Sequence, residues 1–232
     1  MALIKYGGGI VQMSGSIAGT THARNRYGNY VRARTKPINP NTALQVAVRT
    51  ALSELTARWS QTLTAAQRTA WNLYASSVAM KNKLGETVYL SGFNHYIRSN
   101  SFRNVGGYAT VDNGPVIFEL PAADPTYAVA FSEATQQVTI TYDNTRAWAL
   151  EDGAYFVHFQ GSPQNAQRNF FDGPWRSTGN IAGDPLGPPA TPVAGAVAFA
   201  VAELQRVWCY ARIARADGRL SEKFRADTFC AA

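Results

Sequence analysis

Cysteine, histidine and charged residues are all scarce in this sequence. Two cysteines and three histidines occur in 232 residues, and no CxxC or clustered Cys/His spacing is present. Structural zinc sites and disulfide scaffolds need such clusters, so we expect no metal and no disulfide framework. Charged residues make up 16% of the chain, against about 25% in a typical soluble domain. A surface of neutral polar and aromatic groups is typical of a subunit whose surface is buried against neighbouring subunits.

Long apolar runs and enzyme motifs are missing as well. The apolar run 193–202 has ten residues, whereas a membrane-spanning helix needs about 20, so we expect no membrane contact. GxSxG, HExxH, Walker and Rossmann patterns are absent. The histidines, His22, His95 and His158, lie in three different segments. Because no acids, bases or nucleophiles converge, we predict neither an enzyme nor a bound cofactor.

Positive charge is concentrated at the front of the chain. The net charge is +7, and residues 1–60 hold eight Lys/Arg against one acid, while the remaining residues sum to zero. Such asymmetry is typical of a segment that contacts nucleic acid, an acidic protein face or a membrane surface. The alternative is a solvated charged arm.

Residues 21–36, THARNRYGNYVRARTK, carry most of this excess. Most even positions are basic or aromatic, and many odd positions are small or β-branched; side chains alternate across a strand. A hairpin that turns near Asn25 to Asn29, with Gly28 at its tip, would place the cations on one face. Alternatively, this Gly-rich arm stays disordered until it binds.

Arginine and tyrosine suit this segment to binding. Guanidinium groups pair bidentately with phosphate or carboxylate, and tyrosines pack well in interfaces. The predicted partner- or anion-binding residues are Arg24, Arg26, Tyr27, Tyr30, Arg32, Arg34 and Lys36.

Residues 40–107 have a helical pattern. Thr42 with Gln45 and Thr64 with Gln67 form two capping boxes, which predict a helical hairpin. The residues at helical spacing after the first cap are Leu44, Val48, Leu52, Leu55 and Trp59. We expect Trp59 and Trp71 to pack between the two helices.

A third helix is predicted from a cap at Ser91 to a stop at Gly106 and Gly107. Its predicted buried residues are Phe93, Ile97 and Phe102.

The period changes to two beyond a Pro/Gly/Asp-rich boundary at 108–125. Seven short strands separated by turn residues predict an antiparallel β-sandwich in residues 126–232. The predicted strands are Tyr127–Phe131, Val138–Tyr142, Ala154–Phe159, Asn169–Trp175, Val197–Val201, Val207–Arg215 and Leu220–Thr228.

The stretch LQRVWCYARIARADGRLSEKF resembles the last hairpin of a fibronectin type III-like domain. Leu204 stands six residues before Tyr210, as in the tyrosine corner of that family, and the resemblance covers about residues 124–229. The sequence departs from the family in its long Pro/Gly loop 176–192 and in the lack of a clear strand D. The resemblance implies a fold and a binding or spacing role, without chemistry.

The stretch SGSIAGTTHARNRYGNYVRARTKPINPNTALQ, continuing through LSELTARWSQTLTAAQRTAWNLYA, resembles the leader of phage-encoded proteins that lie beside virion structural genes. The resemblance spans about residues 14–75. It implies a virion component made in the host cytoplasm: a capsid-decorating protein, a minor capsid protein or a head–tail protein. Its implied partners are other virion proteins and copies of itself, as a homo-oligomer or bound to a lattice.

The sequence therefore predicts an α+β protein of four parts. A basic arm or β-ribbon (1–39) precedes a helical domain (40–107), a linker (108–125) and the β-sandwich domain (126–232). The predicted function is a non-enzymatic virion protein held to its neighbours through the ribbon. Two alternatives stay open: a nucleic-acid-binding protein that uses the same ribbon, and a fibronectin-like adhesion module that uses the aromatic loop 168–176.

Overall fold

A computed structural model describes residues 2–82 and 84–232, except for the side chains of Leu44 and Val105. The predicted role of Leu44 in the helical stripe therefore lies outside the described residues. The chain contains helices and antiparallel sheets, so the predicted α+β class is confirmed. It divides into two units, Met1–Ile97 and Arg98–Ala232. The predicted linker at 108–125 lies inside the second unit.

The first unit begins with a four-stranded antiparallel sheet of order β1-β4-β3-β2, followed by helices and a short β-pair. The elements are β1 (Ala2–Leu3), β2 (Gly15–Ile17), β3 (Thr20–Asn25), β4 (Gly28–Ala33), α1 (Ala43–Ala57), a π-helical turn (Arg58–Thr62), α2 (Ala65–Ser77), β5 (Met80–Lys81), β6 (Thr87–Val88) and α3 (Gly92–Gly106). The division between the units falls within α3.

The helix starts follow the predicted caps. The Thr42 hydroxyl accepts the Gln45 N–H at 3.4 Å. At Thr64 both halves of the box form, because the Gln67 side chain accepts the Thr64 N–H at 2.9 Å and the Thr64 hydroxyl accepts the Gln67 N–H at 3.2 Å. Each bond satisfies an amide that the helix leaves without an internal acceptor. The sequence located both starts correctly.

The predicted packing of a two-helix hairpin is wrong in its buried face. Val48 and Leu52, which belong to the predicted stripe of α1, are 66% and 47% exposed, and Leu55 is buried. Trp59 packs instead on α3, with its ring 5.3 Å from that of Tyr96. Trp71 also contacts Tyr96, at 5.7 Å. The spacing of apolar residues predicts which face of a helix is apolar. It does not predict which element packs on that face, because that element can be distant in sequence.

The buried side of α3 also differs from the prediction. Phe93, Ile97 and Phe102 are half-buried, whereas the buried side chains of this helix are His95, Tyr96, Ser99, Asn100 and Arg103. Polar groups can be buried when they are hydrogen-bonded. Asn100 supplies an example, since its amide exchanges two hydrogen bonds with the backbone of Val111 at 2.7 and 3.0 Å.

The second unit contains two antiparallel sheets of order β10-β9-β12-β13 and β11-β8-β7. The strands are β7 (Ala128–Ser132), β8 (Gln137–Thr141), β9 (Tyr155–Gly161), β10 (Trp175–Ala182), β11 (Val193–Ala196), β12 (Arg206–Ala214) and β13 (Phe224–Phe229). Five predicted strands overlap β7, β8, β9, β12 and β13. The two strands predicted at Asn169–Trp175 and Val197–Val201 are wrong.

Side-chain contacts explain both errors. The Phe171 ring lies so close over Gly161 that a Cβ there would be 2.3 Å from it, and this contact holds 169–174 as a loop. In 197–201, the buried Gln160 amide replaces a partner strand: its oxygen accepts the Ala198 N–H at 2.7 Å, and its nitrogen donates to the Phe199 carbonyl at 2.9 Å. A stretch rich in β-branched and aromatic residues predicts a strand, but this composition does not show that a side chain takes the place of the partner strand.

One hydrophobic core receives side chains from both sheets. Phe131 and Ile140 of the three-stranded sheet and Phe156, Cys209 and Ile213 of the four-stranded sheet belong to it. Most of this core comes from alternate positions of strands, as period two predicts.

The opposite face of the four-stranded sheet is aromatic. Tyr210 stacks on Phe159 at 4.6 Å, and Phe171 stacks on Trp208 at 5.6 Å. Of the two residues predicted to form a tyrosine corner, Tyr210 is buried and Leu204 is 69% exposed.

Arg103 provides a test of how α3 is fixed in the second unit. The residue is 6% exposed, and its guanidinium donates to the carbonyls of Ala109 (2.7 Å), Gly153 (3.3 Å) and Arg215 (3.1 Å). Arg103→Met removes the donor of the Ala109 and Gly153 carbonyls, while the Arg215 carbonyl keeps the Gly218 N–H, so we expect a loss of about 2–4 kcal/mol in the free energy of unfolding. Urea unfolding measures it, with Arg146→Met as a control at a half-exposed ion pair and an expected loss of about 0.5 kcal/mol. Equal losses would contradict the role of Arg103.

His158 makes the stability of the second unit depend on pH. The ring is 1% exposed and bonds Thr178, and burial lowers its pKa from 6.5 to about 3. Between these values the unfolded chain binds a proton that the folded chain does not, so stability falls as pH drops below 6.5. We expect the urea midpoint to fall between pH 7 and 5, and to fall less in His158→Gln. Identical pH profiles would contradict this.

Candidate interaction surface

The predicted hairpin is present in the first unit. β3 pairs with β4 from Thr20↔Ala33 to Asn25↔Gly28, so Arg26 and Tyr27 form a two-residue turn. Gly28 closes the turn with φ +117°, a conformation that side-chain-bearing residues rarely adopt. The Asn25 side chain accepts the Tyr27 N–H at 2.9 Å. The hairpin and the place of its turn are confirmed, but Arg26 and Tyr27 form the tip and Gly28 is the first residue of β4.

The prediction that the cations share one face is wrong. Residues directly opposite each other in an antiparallel pair lie on the same face. Arg24 is opposite Asn29, whereas Arg32 is opposite Thr21, and Thr21 is on the other face from Arg24 because side chains alternate. A two-residue turn pairs even positions of β3 with odd positions of β4. Arg24 therefore lies on one face, and Tyr30 and Arg32 lie on the other.

The tip of the hairpin is fixed within its own unit. Arg26 Nε donates to the Tyr89 carbonyl at 3.0 Å, and Asn82 Nδ2 donates to the Tyr27 carbonyl at 3.1 Å. Lys5 and Glu86 form an exposed ion pair at 2.6 Å. Hydrogen bonds from Lys5 and Asn82 lower the pKa of Glu86. No local sequence pattern indicates these anchors, because their partners are 55 or more positions apart in the chain.

The other predicted cations are exposed and uncompensated. Among the described residues, the side chains of Arg32, Arg34 and Lys36 have no hydrogen bond or ion pair, and Arg24 has a single contact, with Gln12 Oε1 at 3.4 Å. Tyr30 is half-buried. The structure thus brings Arg26 and Tyr27 together at the tip, and leaves Arg34 and Lys36 beyond the end of β4.

Exposure continues from the ribbon into α1. Every residue from 32 to 50 whose side chain is described is exposed. Arg49 of α1 donates to Asn39 at 2.6 Å and to Asn41 at 3.3 Å, which ties the start of the helix to the segment before it. The segment 32–50 makes local contacts, but none of its described side chains is buried.

Arginines of the second unit have a different environment, because acids compensate most of them. Six of its described arginines pair with carboxylates: Arg98 with Glu222, Arg146 with Asp143, Arg206 with Asp227, Arg215 with Glu151, Arg219 with Asp217 and Glu119, and Arg225 with Asp172. Arg32, Arg34 and Lys36 of the first unit, which have no acidic partner among the described residues, differ in this respect from most arginines of the second unit.

Metal-binding groupings and exposed thiols are both absent from the described residues. No set of three or more His, Cys, Asp or Glu residues lies close enough to hold a metal in the described part of the chain. Cys209 and Cys230 are buried, and burial raises both thiol pKa values, which disfavours the reactive thiolate. His22 is held by the Tyr6 hydroxyl at 2.9 Å.

None of the described helices has the length and apolar content needed to cross a bilayer.

Comparisons with family models, curated proteins and solved structures found no match to this chain.

Gly28 distinguishes an ordered ribbon from a disordered arm. Gly28→Ala meets no neighbouring atom but requires φ +117°, so we expect a loss of about 1–3 kcal/mol in hairpin stability. Gly19→Ala is the matched control, because its Cβ also meets open space and its φ is ordinary. Amide exchange of residues 20–33 measures the difference. Equal exchange in both variants would contradict an ordered hairpin.

Proposed function

We propose that this chain is a non-enzymatic structural subunit of a phage-like virion, as a capsid-decorating, minor capsid or head–tail protein. Its basic N-terminal segment holds it to neighbouring subunits. The partners are other virion proteins and further copies of this chain.

The observation that carries this proposal is the contrast in ion pairing. Arg32, Arg34 and Lys36 lack acidic partners among the described residues, while six arginines of the second unit have them. Exposed cations that repel one another are stabilised when an acidic surface covers them. The exposed stretch 32–50 adds apolar groups to the same segment, including Ile38, which is 89% exposed. Such a mixture fits a protein surface better than a phosphate backbone alone.

Cations on both faces of the hairpin add to this argument. A ribbon that lies flat on a nucleic acid presents only one face to the phosphates. Such binding therefore favours a ribbon whose cations all lie on that face. With Arg24 and Arg32 on opposite faces, the ribbon can contact two surfaces at once. Insertion between neighbouring subunits uses both faces.

The second unit is proposed to be a β-sandwich of the fibronectin type III-like kind that acts as a spacer. Its support is the single core that receives side chains from two antiparallel sheets. The aromatic loop 168–176 favours this role over adhesion, because Phe171 and Trp175 pack on Trp208 and Tyr210. Phe170 remains 68% exposed.

Neutralising the ribbon tests the proposal. In the variant Arg24→Gln, Arg26→Gln, Arg32→Gln and Arg34→Gln, we expect incorporation into purified particles to fall at least ~tenfold, because several exposed ion pairs of about 0.5–1 kcal/mol each are lost. Quantitative mass spectrometry of particles measures copy number, and circular dichroism checks that the monomer still folds.

A matched control removes two charges from the second unit, Arg146→Gln with Arg176→Gln, and should incorporate normally. Normal incorporation of the ribbon variant would overturn the proposal. If that variant instead loses only its retention on DNA at low salt, the chain is a nucleic-acid-binding protein. Absence of the unmodified chain from particles would overturn a virion role altogether.

A further inference from the structure

An open groove lies at one end of the second unit. It has a volume of about 420 Å³ and is lined by Gln164, Asn165, Ala166, Glu203, Leu204 and Gln205. This volume lies within the range of about 300–1,000 Å³ that is usual for ligand clefts. Neither the ribbon nor the aromatic face of the four-stranded sheet includes these residues.

Hydrogen bonds hold the surroundings of the groove in place. The amide of Gln136, in the turn between β7 and β8, donates to the Glu133 carbonyl at 2.8 Å and accepts the Val201 N–H at 3.1 Å. The Leu204 N–H donates to the Cys230 carbonyl at 3.0 Å, and Gln164 and Arg206 exchange two backbone bonds. The groove is therefore formed before any partner arrives, which lowers the entropic cost of binding.

Leu204 gives this groove an uncovered apolar wall. It is 69% exposed and has φ +60°. A leucine in the left-handed region is uncommon, and residues held this way tend to occur where they make functional contacts. Phe229, whose ring lies 5.7 Å from the Arg206 guanidinium, is 52% exposed. Both side chains become more stable when an apolar group covers them.

The charge of the groove is negative on balance. Glu133 and Glu203 are exposed, and neither has a cation partner within the described residues. They are neighbours, since the Glu203 N–H donates to Glu133 Oε2 at 2.9 Å. Asp227 neutralises Arg206 at 2.7 Å. One further cation is near: Arg168, which donates to Gln164.

We propose that a second copy of this chain inserts its basic segment 32–38 into this groove. The segment supplies the complementary groups: Arg32, Arg34 and Lys36 for the two carboxylates, and Ile38 for Leu204. The inference rests on the proposed function, since it names the partner of the ribbon. Because the two surfaces differ, the contact is head-to-tail and can repeat from copy to copy, as a lattice requires.

The expected affinity of one contact is modest, because exposed ion pairs contribute little individually. Repetition over many copies raises the overall affinity. Salt should weaken the association, since it screens exposed charges over about 10 Å at 0.1 M.

Charge reversal tests the pairing with the full-length chain. Sedimentation velocity at low ionic strength should show that the unmodified chain self-associates. The Kd of self-association should rise ~tenfold or more in Arg34→Glu/Lys36→Glu and in Glu133→Lys/Glu203→Lys. An equal mixture of the two variants should associate again, because each reversed segment meets a reversed groove. The control, Asp152→Lys/Asp184→Lys, changes two other exposed acids and should associate normally.

Leu204→Gly separates binding from folding. Glycine adopts φ +60° without strain, so the thermal midpoint should be unchanged or higher while self-association weakens. A lower midpoint with normal self-association would show that Leu204 serves folding and would overturn its role in the groove.

The remaining outcomes also decide the question. A chain that stays monomeric at every salt concentration, or a mixture that fails to associate, overturns the second-copy partner. If the ribbon-reversed variant fails to enter particles while the groove-reversed variant enters normally, the groove inference falls and the proposed function stands. If the groove-reversed variant fails to enter particles but self-associates normally, the groove binds a different protein. If neither variant affects particles, both proposals fall.

Discussion

The hydrogen-bond and ion-pair partners of the arginine side chains differ between the two units, and this difference underlies both the stability of the second unit and the exposure of the ribbon. In the second unit, Arg103 is buried because three carbonyls accept its hydrogen bonds, and it fixes the end of α3. Six other arginines there are paired with carboxylates. The ribbon cations have no such partners among the described residues, and they remain in solvent. One residue type is thus mostly paired or buried in one unit and exposed in the ribbon of the other.

A second constraint is the length of one turn. Two residues join β3 to β4, and this length pairs even with odd positions. Arg24 and Arg32 are consequently separated by the thickness of the sheet. The same alternation that made the segment look one-sided in sequence makes it two-sided in the folded chain.

Much of the local structure could be predicted. The caps at Thr42 and Thr64, the stop of α3 at Gly107 and five of the strands follow from side chains within a few residues of one another. The surplus of cations in the ribbon is evident from the sequence alone. Less could be predicted where a distant group replaces a local partner, as Gln160 does for the backbone of 198–199. The groove beside Leu204 was missed for the same reason, because three separate segments form and support it.

By itself, the sequence determined the α+β class, the helix starts, the turn at Gly28 and the surplus of cations at the front of the chain, since each depends on neighbouring residues or on composition. The tertiary structure alone decided which faces are buried: the polar side of α3, the exposed stripe of α1, and the two faces of the ribbon. The physical reason is that burial depends on what packs against a face. That partner is chosen by contacts across the whole unit, which no short stretch of sequence contains.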